Sequence, residues 1–455
     1  MKIKVLFFLI FFLPFVIVSF YNQPAIDDYW SANTIIKYGR LGASEFYFET
    51  ASARFFSNFL MSMFNTLPAG QVWIFKAWPI VTMLMLLGSL MFFYTSLAGS
   101  ITSSKKLLLA SLLFVALHLA NIRVLFDGLY WMSSTICYQV AICLFATGIG
   151  SLIRYIKGQS LAYGFVAVSC SVLLPGAVEF FSPIFIFVLA SILYISVKQK
   201  YPLRFTFFCL AAALISLTII VLSRGSHERI QHKSLLPNKD MLYALFYSIR
   251  AVAYYCVLWL TTPINFAALI LLLPSFNNIV IQASSEASLF LQKPLALIPL
   301  FFFLCVLIYL PQIYFEAPVP FPRVTTLVFF VAFHLLLIFL GSALRIYPRF
   351  SRFVSFYSTS KNFHLYAWIL FFVTALTTTN YTIVMKDLVS GNAYNFNLEA
   401  NQRDKIIRQA KGDTCYVTLY DHWPLFNRFS KVQHISQHLD EYYGKTILYK
   451  KELSQ

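Results

Sequence analysis

Two adjacent aspartates, Asp27 and Asp28, follow the first apolar stretch of the chain in the segment PAIDDYW. Neighbouring carboxylates repel each other unless they cap a helix, meet a cation or share a proton. Capping is one interpretation, because Asp28 precedes the helix-forming sequence YWSANTIIKY and carboxylates accept hydrogen bonds from helix N-termini. The other is a catalytic or metal-binding carboxylate that takes the proton of an acceptor hydroxyl. The residues leave both interpretations open.

Basic residues on separate loops form a second group of candidates. One long loop, SRGSHERIQHKSLLPNKD, is strongly basic, and further arginines follow in the next apolar stretch and in the segment PVPFPRV. The members of this group are Arg224, His227, Arg229, Arg250 and Arg323. A planar guanidinium suits a phosphate or diphosphate, whereas attraction to anionic lipid head groups is the simpler interpretation. If the fold brings these side chains to the two aspartates, we expect a carboxylate beside an anion-binding site.

Four more residues are candidates because of where they stand relative to the apolar stretches. Glu179 lies between two apolar runs with no basic neighbour in sequence, and ionisable groups at such depths are costly and tend to be functional. Arg123 has a simple interpretation as the ion-pair partner of Asp127. Trp131 suits a membrane interface whatever the function. Arg54 lies in the first long loop, beside apolar residues at helical spacing.

The composition indicates which solvent surrounds these residues. The chain is 59% hydrophobic and 12% charged, whereas soluble domains are about 45–50% apolar and about 25% charged. The net charge of +17 does not indicate a nucleic-acid partner, because the basic residues fall mostly in pairs between apolar runs, where they orient membrane helices. The seven cysteines show no metal-binding or disulfide spacing. The predicted partner of most of the chain is the lipid bilayer.

Apolar runs long enough for a bilayer predict an all-α polytopic protein of eleven transmembrane helices. The predicted spans are 5–20, 77–98, 107–122, 136–153, 161–177, 180–197, 205–222, 252–273, 295–313, 324–343 and 364–380. No small-residue cleavage site follows the first run, which favours a retained anchor over a secretory signal. The spans define a transmembrane domain over 1–380, with a long first outer loop at 21–76.

Loop charge predicts the orientation of these spans. With a cytoplasmic N-terminus, the inner loops hold many lysines and arginines and a single acidic residue, whereas the outer loops are mixed in sign. The positive-inside rule expects this distribution. These residues are Lys2, Lys4, Lys105, Lys106, Arg154, Lys157, Lys198, Lys200, Arg204, Lys293, Arg345, Arg349, Arg352 and Lys361, against Glu286 alone. Eleven spans then place the C-terminus outside. Residues 381–455 contain the helical pattern LEANQRDKIIRQAKG and the strand pattern CYVTLY, which predict a small extracytoplasmic α/β domain.

The order of these features resembles the GT-C superfamily of membrane glycosyltransferases. More specifically, the chain is similar to a set of bacterial multi-pass proteins with short elements in a fixed order. Those elements here are Asp27-Asp28-Tyr29, Tyr130-Trp131, Arg224-Gly225-Ser226-His227-Glu228-Arg229, Pro320-Phe321-Pro322-Arg323 and Tyr442-Tyr443-Gly444. Two elements depart from that pattern: Glu49 to Arg54 replaces Trp-x-Gly-Arg, and Arg-Gly-Ser replaces Pro-Gly-Asn.

The resemblance implies an inverting glycosyltransferase of the inner (plasma) membrane. Its donor is a polyprenyl-phosphate sugar, and its acceptor is an envelope glycan, lipid or protein on the extracytoplasmic face. The role of base or metal ligand falls on Asp27 or Asp28, and Arg229 and Arg323 contact the donor phosphate. Metal dependence varies across the superfamily, so no divalent metal is assigned. The alternatives are an envelope polysaccharide polymerase or ligase and a transporter or flippase of lipid-linked sugars.

Overall fold

The structure is a computed structural model that describes residues 2–99, 103–158, 160–233, 240–286, 294–315, 319–347, 360–427 and 437–450. Most of these residues are helical. Three basic residues of the predicted cytoplasmic loops, Lys293, Arg349 and Arg352, lie outside the described residues.

Eighteen α-helices follow one another along the described residues. In order they are α1 (Lys2–Ser19), α2 (Asp27–Thr50), α3 (Phe55–Phe64), α4 (Trp73–Ala98), α5 (Ser104–Asn121), α6 (Met132–Gly158), α7 (Leu161–Ala177), α8 (Ser182–Gln199), α9 (Arg204–Leu222), α10 (Arg224–Lys233), α11 (Met241–Thr261), α12 (Pro263–Glu286), α13 (Leu297–Phe315), α14 (Pro322–Ile346), α15 (Lys361–Leu376), α16 (Thr379–Val389), α17 (Asn392–Gln409) and α18 (Gln437–Tyr443). Strands β1 (Thr414–Thr418) and β2 (Thr446–Lys450) form a parallel pair in which Thr414 lies opposite Thr446.

Many of these helices suit a lipid environment. Eight of the described helices are long and apolar enough to cross a membrane, and the bent pair Asn362–Leu376 and Thr379–Val389 would add a ninth. Ile3–Ser19, Leu161–Ala177 and Pro263–Pro274 are shorter apolar helices. The prediction of a mostly helical, multi-pass membrane protein is confirmed, while the count of eleven spans stays a prediction.

One predicted span is wrong. The sequence predicts a single helix over 252–273, but α11 ends at Thr261 and α12 begins at Pro263. The backbone of Thr262 is extended, with φ −80° and ψ 115°. Proline pushes the preceding residue out of the helical region and is itself favoured at the first position of a helix. Pro263 therefore divides the apolar run into two helices.

Polar side chains tie several helix ends together at one end of the bundle, which we call the site face. Asn22 donates hydrogen bonds to the carbonyls of Phe75 at 2.9 Å and Tyr130 at 2.7 Å. Asn380 donates to the carbonyls of Leu119 and Ile122, both at 2.7 Å. The starts of α4 and α16 and the end of α5 therefore meet at this face.

The opposite helix ends form what we call the basic face. Among the described residues, it carries Lys105, Lys106, Arg154, Lys157, Lys198, Lys200 and Arg204. Arg154 donates hydrogen bonds to Ser96 at 2.9 Å and Tyr163 at 2.9 Å, which hold the ends of α4, α6 and α7 together. The distribution of charge along the sequence thus corresponds to two distinct ends of the bundle.

The helices before and after α11 both contact the site face. At its end, Asn121 and Asn265 exchange amide hydrogen bonds of 2.7 and 3.1 Å, so the break at Thr262 lies next to the end of α5. Before its start, α10 reaches the same face, where Arg229 pairs with Glu179 at 3.3 Å. The helices on either side of this 21-residue helix, α10 and α12, therefore reach the same face.

The C-terminal segment packs onto the first loop. Asn33 donates to the carbonyl of His438 at 2.9 Å, and the Tyr442 hydroxyl donates to the carbonyl of Leu67 at 2.7 Å. Helix α17 and strand β1 occupy the predicted helical and strand patterns, with boundaries shifted by a few residues. Whether residues 381–455 form a separate domain stays a prediction. The position of Cys415 in this segment suggests a water-exposed thiol. Cys415 is instead buried between α17 and β2, with 4% of its surface exposed.

Candidate functional site

A cavity of about 390 Å³ opens at the site face between the first loop and the bundle. Helices α2 and α3 form one side, and the first turns of α6 form another. Charged and hydroxyl side chains in its lining include Asp27, Arg54, Ser133, Tyr138, Arg229 and Arg323. The cavity therefore joins one of the predicted carboxylates to arginines from three separate parts of the chain.

Asp27 is the first residue of α2 and lines this cavity. It is partly exposed, and its carboxylate makes no hydrogen bond or ion pair with any residue that the structure describes. A carboxylate in that position is able to accept a proton from a bound molecule, because no cation or donor among the described residues already occupies its oxygens.

Asp28 has the opposite environment, although it is the next residue. Its carboxylate is 1% exposed and accepts hydrogen bonds from the Ala25 backbone N–H at 2.8 Å and the Ser133 hydroxyl at 2.9 Å. Burial raises the pKa of the Asp28 carboxyl to about 7, although these two hydrogen bonds oppose the rise. Asp28 thus links the start of α2 to α6.

The capping interpretation of Asp28 is wrong in its simple form. Helix α2 begins at Asp27, and the residue before it, Ile26, makes no side-chain capping hydrogen bond. Asp28 instead lies inside the first turn and accepts from an N–H three residues earlier. Its carboxylate binds the backbone of the segment that precedes the helix. The backbone N–H groups of the first turn of α2 have no side-chain cap.

Glu179 binds two arginines of the cavity. It lies in the short turn between α7 and α8, where Arg54 donates two hydrogen bonds to it at 2.6 and 2.8 Å. Arg229 donates a third, at 3.3 Å. The paired fork geometry is the strongest arrangement between a guanidinium and a carboxylate. Glu179 has no basic neighbour in sequence, yet it has two in the folded chain.

Arg323 occupies the other side of the cavity with a carboxylate partner of its own. It follows Pro322 at the start of α14, and its guanidinium is 3.5 Å from the carboxylate of Asp127. The same group lies 5.5 Å from the ring centre of Tyr138 and 5.6 Å from that of Trp131. Burial raises the pKa of Asp127, although the charge of Arg323 opposes the rise.

The expected pair between Arg123 and Asp127 does not form. Asp127 binds Arg323, and the guanidinium of Arg123 lies 5.7 Å above the ring of Tyr255 in α11. Arg123 is exposed and lies on the surface of the site face. Trp131 is buried, and its ring centre lies 5.6 Å from the guanidinium of Arg323.

Three of the predicted phosphate-binding residues do not line the cavity. Arg224 is exposed and lies 3.7 Å from Glu228, one turn along α10. His227 uses its Nδ1 atom for a hydrogen bond of 2.8 Å with the Ser223 carbonyl. Arg250 is exposed on α11, beside the ring of Tyr247. Of this group, Arg229 and Arg323 line the cavity with Asp27, and the remaining members lie elsewhere.

Gly225 explains how α10 brings Arg229 to the cavity. A Cβ atom at this residue would lie 2.2 Å from the backbone oxygen of Phe48, so only glycine permits the contact between α10 and α2. Asp127, which binds Arg323, and the cavity residues Ser133 and Tyr138 are not among the candidate site residues of the sequence. Asp127 carries the same signal as Glu179, a carboxylate beside apolar runs. Serine and tyrosine are too common near membrane interfaces for the sequence to single out the other two.

No family model, no curated protein and no solved structure matches this chain. The fold and the cavity define its class as a polytopic helical membrane protein with a charged cavity at one end of the bundle. Among the described residues, no three His, Cys, Asp or Glu side chains are grouped to hold a metal ion. Asp28, Glu179 and Asp127, the other carboxylates near the cavity, are held by hydrogen bonds or by arginines.

Proposed function

We propose that this chain is a membrane glycosyltransferase that moves a sugar from a polyprenyl-phosphate donor to an acceptor of the cell envelope. The observation that supports this most is the environment of Asp27, a carboxylate without a described partner in a cavity that three arginines also line. A proton acceptor beside fixed positive charge suits the transfer of a group from a phosphate to a hydroxyl.

In the proposed reaction, Asp27 accepts the proton of the acceptor hydroxyl as its oxygen attacks the anomeric carbon. The bond between that carbon and the phosphate oxygen breaks at the same time, and direct displacement inverts the configuration. The leaving polyprenyl phosphate takes the electron pair of the broken bond. Arg229 and Arg323 interact with its charge, in competition with Glu179 and Asp127, which hold both arginines in position before substrate arrives.

The polyprenyl chain of the donor requires an apolar site near the charged one. A second cavity, of about 270 Å³, has an almost wholly apolar lining between α11, α12, α13 and α14. Phe329 and Leu336 of α14 line this cavity, and Arg323 at the start of the same helix lines the charged one. Helix α14 therefore offers a lipid-linked molecule a charged contact at the start of the helix and apolar contacts further along the same helix.

The proposal includes eleven crossings, made by α1, α4 to α9 and α12 to α15. Helix α11 is long and apolar enough to cross a membrane, but α10 before it and the start of α12 after it both contact the site face. A crossing by α11 would need a second crossing before it, and the sequence SLLPNKD there is too short and too polar to be a span, so α11 is not counted. The basic face is then cytoplasmic by the positive-inside rule, which places the site face outside the inner (plasma) membrane.

Two other functions compete with this proposal. A polymerase or ligase of envelope polysaccharide would use the same cavity and differs only in its acceptor. For a transporter, the favourable observation is the buried hydrogen bond of 2.9 Å between Tyr94 and His334 inside the bundle, because polar groups at that depth mark transport paths in some membrane proteins. The grouping of Asp27 with three arginines in one cavity at the site face favours the enzyme.

Comparison of envelope glycans tests the proposal whichever sugar is transferred. Mass spectra would be recorded for cells that produce the wild-type chain, no chain, or Asp27→Asn at matched abundance. A sugar residue present only with the wild-type chain supports transfer. Identical glycans in all three cultures would contradict it.

A further inference from the structure

A polar cavity of about 330 Å³ lies between the start of the first loop and helix α17. It is separate from the cavity that Asp27 lines. Its charged lining consists of Arg403, Asp404, Lys405 and Arg408. Aromatic rings of Tyr29, Phe396, Tyr420 and Tyr443 complete much of the wall. Three basic side chains against one carboxylate give this cavity an excess of positive charge.

The single carboxylate is already engaged. Asp404 accepts hydrogen bonds from Arg408 at 2.9 Å and from the Tyr443 hydroxyl at 2.7 Å. Arg403 makes no hydrogen bond or ion pair with the described residues, and its guanidinium lies 4.1 Å above the ring of Tyr420. A guanidinium that lies over a ring and has no hydrogen-bond partner among the described residues can still donate its N–H groups to a carboxylate or a phosphate.

Aromatic packing holds Arg403 in this position. The ring of Tyr420 is 4.9 Å from that of Phe396 and 5.5 Å from that of Trp423, so it is fixed from two sides. Binding sites of this kind combine apolar walls with a few fixed polar groups that orient the ligand. The rings offer apolar surface to the C–H face of a sugar, and Arg403 offers donors to an anionic substituent.

The two polar cavities meet the first turn of α2 at neighbouring residues. Asp27 lines the first and Tyr29 lines the second, while Asp28 is buried between them. Residues two apart in a helix point to nearly opposite sides. A molecule bound against Tyr29 therefore lies just across the first turn of α2 from the proposed base.

We propose that the second polar cavity binds an anionic sugar residue of the acceptor, with its carboxylate or phosphate on Arg403 and its ring against Tyr29 and Phe396. This assignment of an acceptor rests on the proposed transferase activity. Binding itself requires no transfer, so the two proposals fail in different experiments.

Titration of the purified full-length protein in lipid nanodiscs tests this site, with binding followed by ligand-observed NMR. The probes are methyl glucuronide, glucose 6-phosphate, the neutral methyl glucoside and inorganic phosphate. At least one anionic sugar should bind about tenfold more tightly than methyl glucoside, and Arg403→Gln should abolish that difference. Lys37→Gln, an exposed substitution on α2 outside both cavities, should leave it unchanged.

Several results would overturn the proposal. These are equal binding of neutral and anionic sugars, inorganic phosphate binding as tightly as glucose 6-phosphate, and undiminished binding by Arg403→Gln. Should Arg403→Gln not fold, Lys405→Gln replaces it, because that side chain is exposed, with a smaller loss expected. Asp27→Asn should bind the probes normally, so unchanged glycans with intact binding would reject the transferase alone.

Discussion

Arg54 donates two hydrogen bonds to Glu179, at 2.6 and 2.8 Å, across a sequence separation of 125 residues. This contact fixes the break between α2 and α3 to the turn between α7 and α8. Arg229 reaches the same carboxylate from α10. One acidic side chain thus holds three separate segments around the cavity.

Loss of Glu179 should therefore destabilise the protein strongly. Glu179→Ala leaves two largely buried guanidinium groups without their carboxylate, a change that costs about 3–5 kcal/mol in other buried pairs. Thermal unfolding in detergent provides the measurement. The matched control is Glu228→Ala, which removes the exposed Arg224 pair and should shift the midpoint little. Equal midpoints for the two variants would show that the triad has no structural role.

The buried carboxyl of Asp28 should make stability depend on pH. Its pKa is about 7 in the folded chain, against about 3.9 in an unfolded one. Between these values the unfolded chain loses the proton first, so this group's contribution to stability falls as pH rises from about 4 to 7 and is constant above. The unfolding midpoint of Asp28→Asn relative to wild type should rise over that range. A constant difference would contradict the account.

Gly225 should tolerate no side chain. In Gly225→Ala the new methyl group would meet the Phe48 oxygen, so α10 must move away from α2 and take Arg229 with it. We expect a lower unfolding midpoint together with a loss of transfer. Gly88→Ala is the control, since no atom lies within 4 Å of the added carbon. That variant should be neutral or more stable, because alanine favours helices over glycine by about 1 kcal/mol.

Sidedness can be measured with two engineered cysteines. Lys411 is exposed beyond α17 at the site face, and Lys105 is exposed at the basic face. In intact cells, a membrane-impermeant maleimide should label Lys411→Cys but reach Lys105→Cys only after permeabilisation. The native Cys415 is unsuitable as a reporter because it is buried. The reverse labelling pattern would invert the proposed orientation.

The sequence predicts some of these features for identifiable physical reasons. Apolar runs reveal membrane helices because each span must satisfy its own backbone in lipid. Pro263 is visible in the sequence, yet the apolar pattern continues across it, which hides the break after Thr261. Side-chain pairing is different, because Asp127 and Arg323 are 196 residues apart and nothing local connects them. Arg229 and Arg250 are equally basic in sequence, and only the positions of α10 and α11 separate a cavity residue from an exposed one.

Substitution of Asp27 by asparagine tests the central claim most directly, because it keeps the shape of the side chain and removes its basicity. Initial rates would be measured in membranes with a radiolabelled short-chain polyprenyl-phosphate sugar, chosen from the glycan comparison. We expect a fall of about 10²–10⁴ in rate for Asp27→Asn, with membrane abundance and unfolding midpoint unchanged and with Lys37→Gln fully active. Full transfer activity in Asp27→Asn would contradict the assignment of Asp27 as the base.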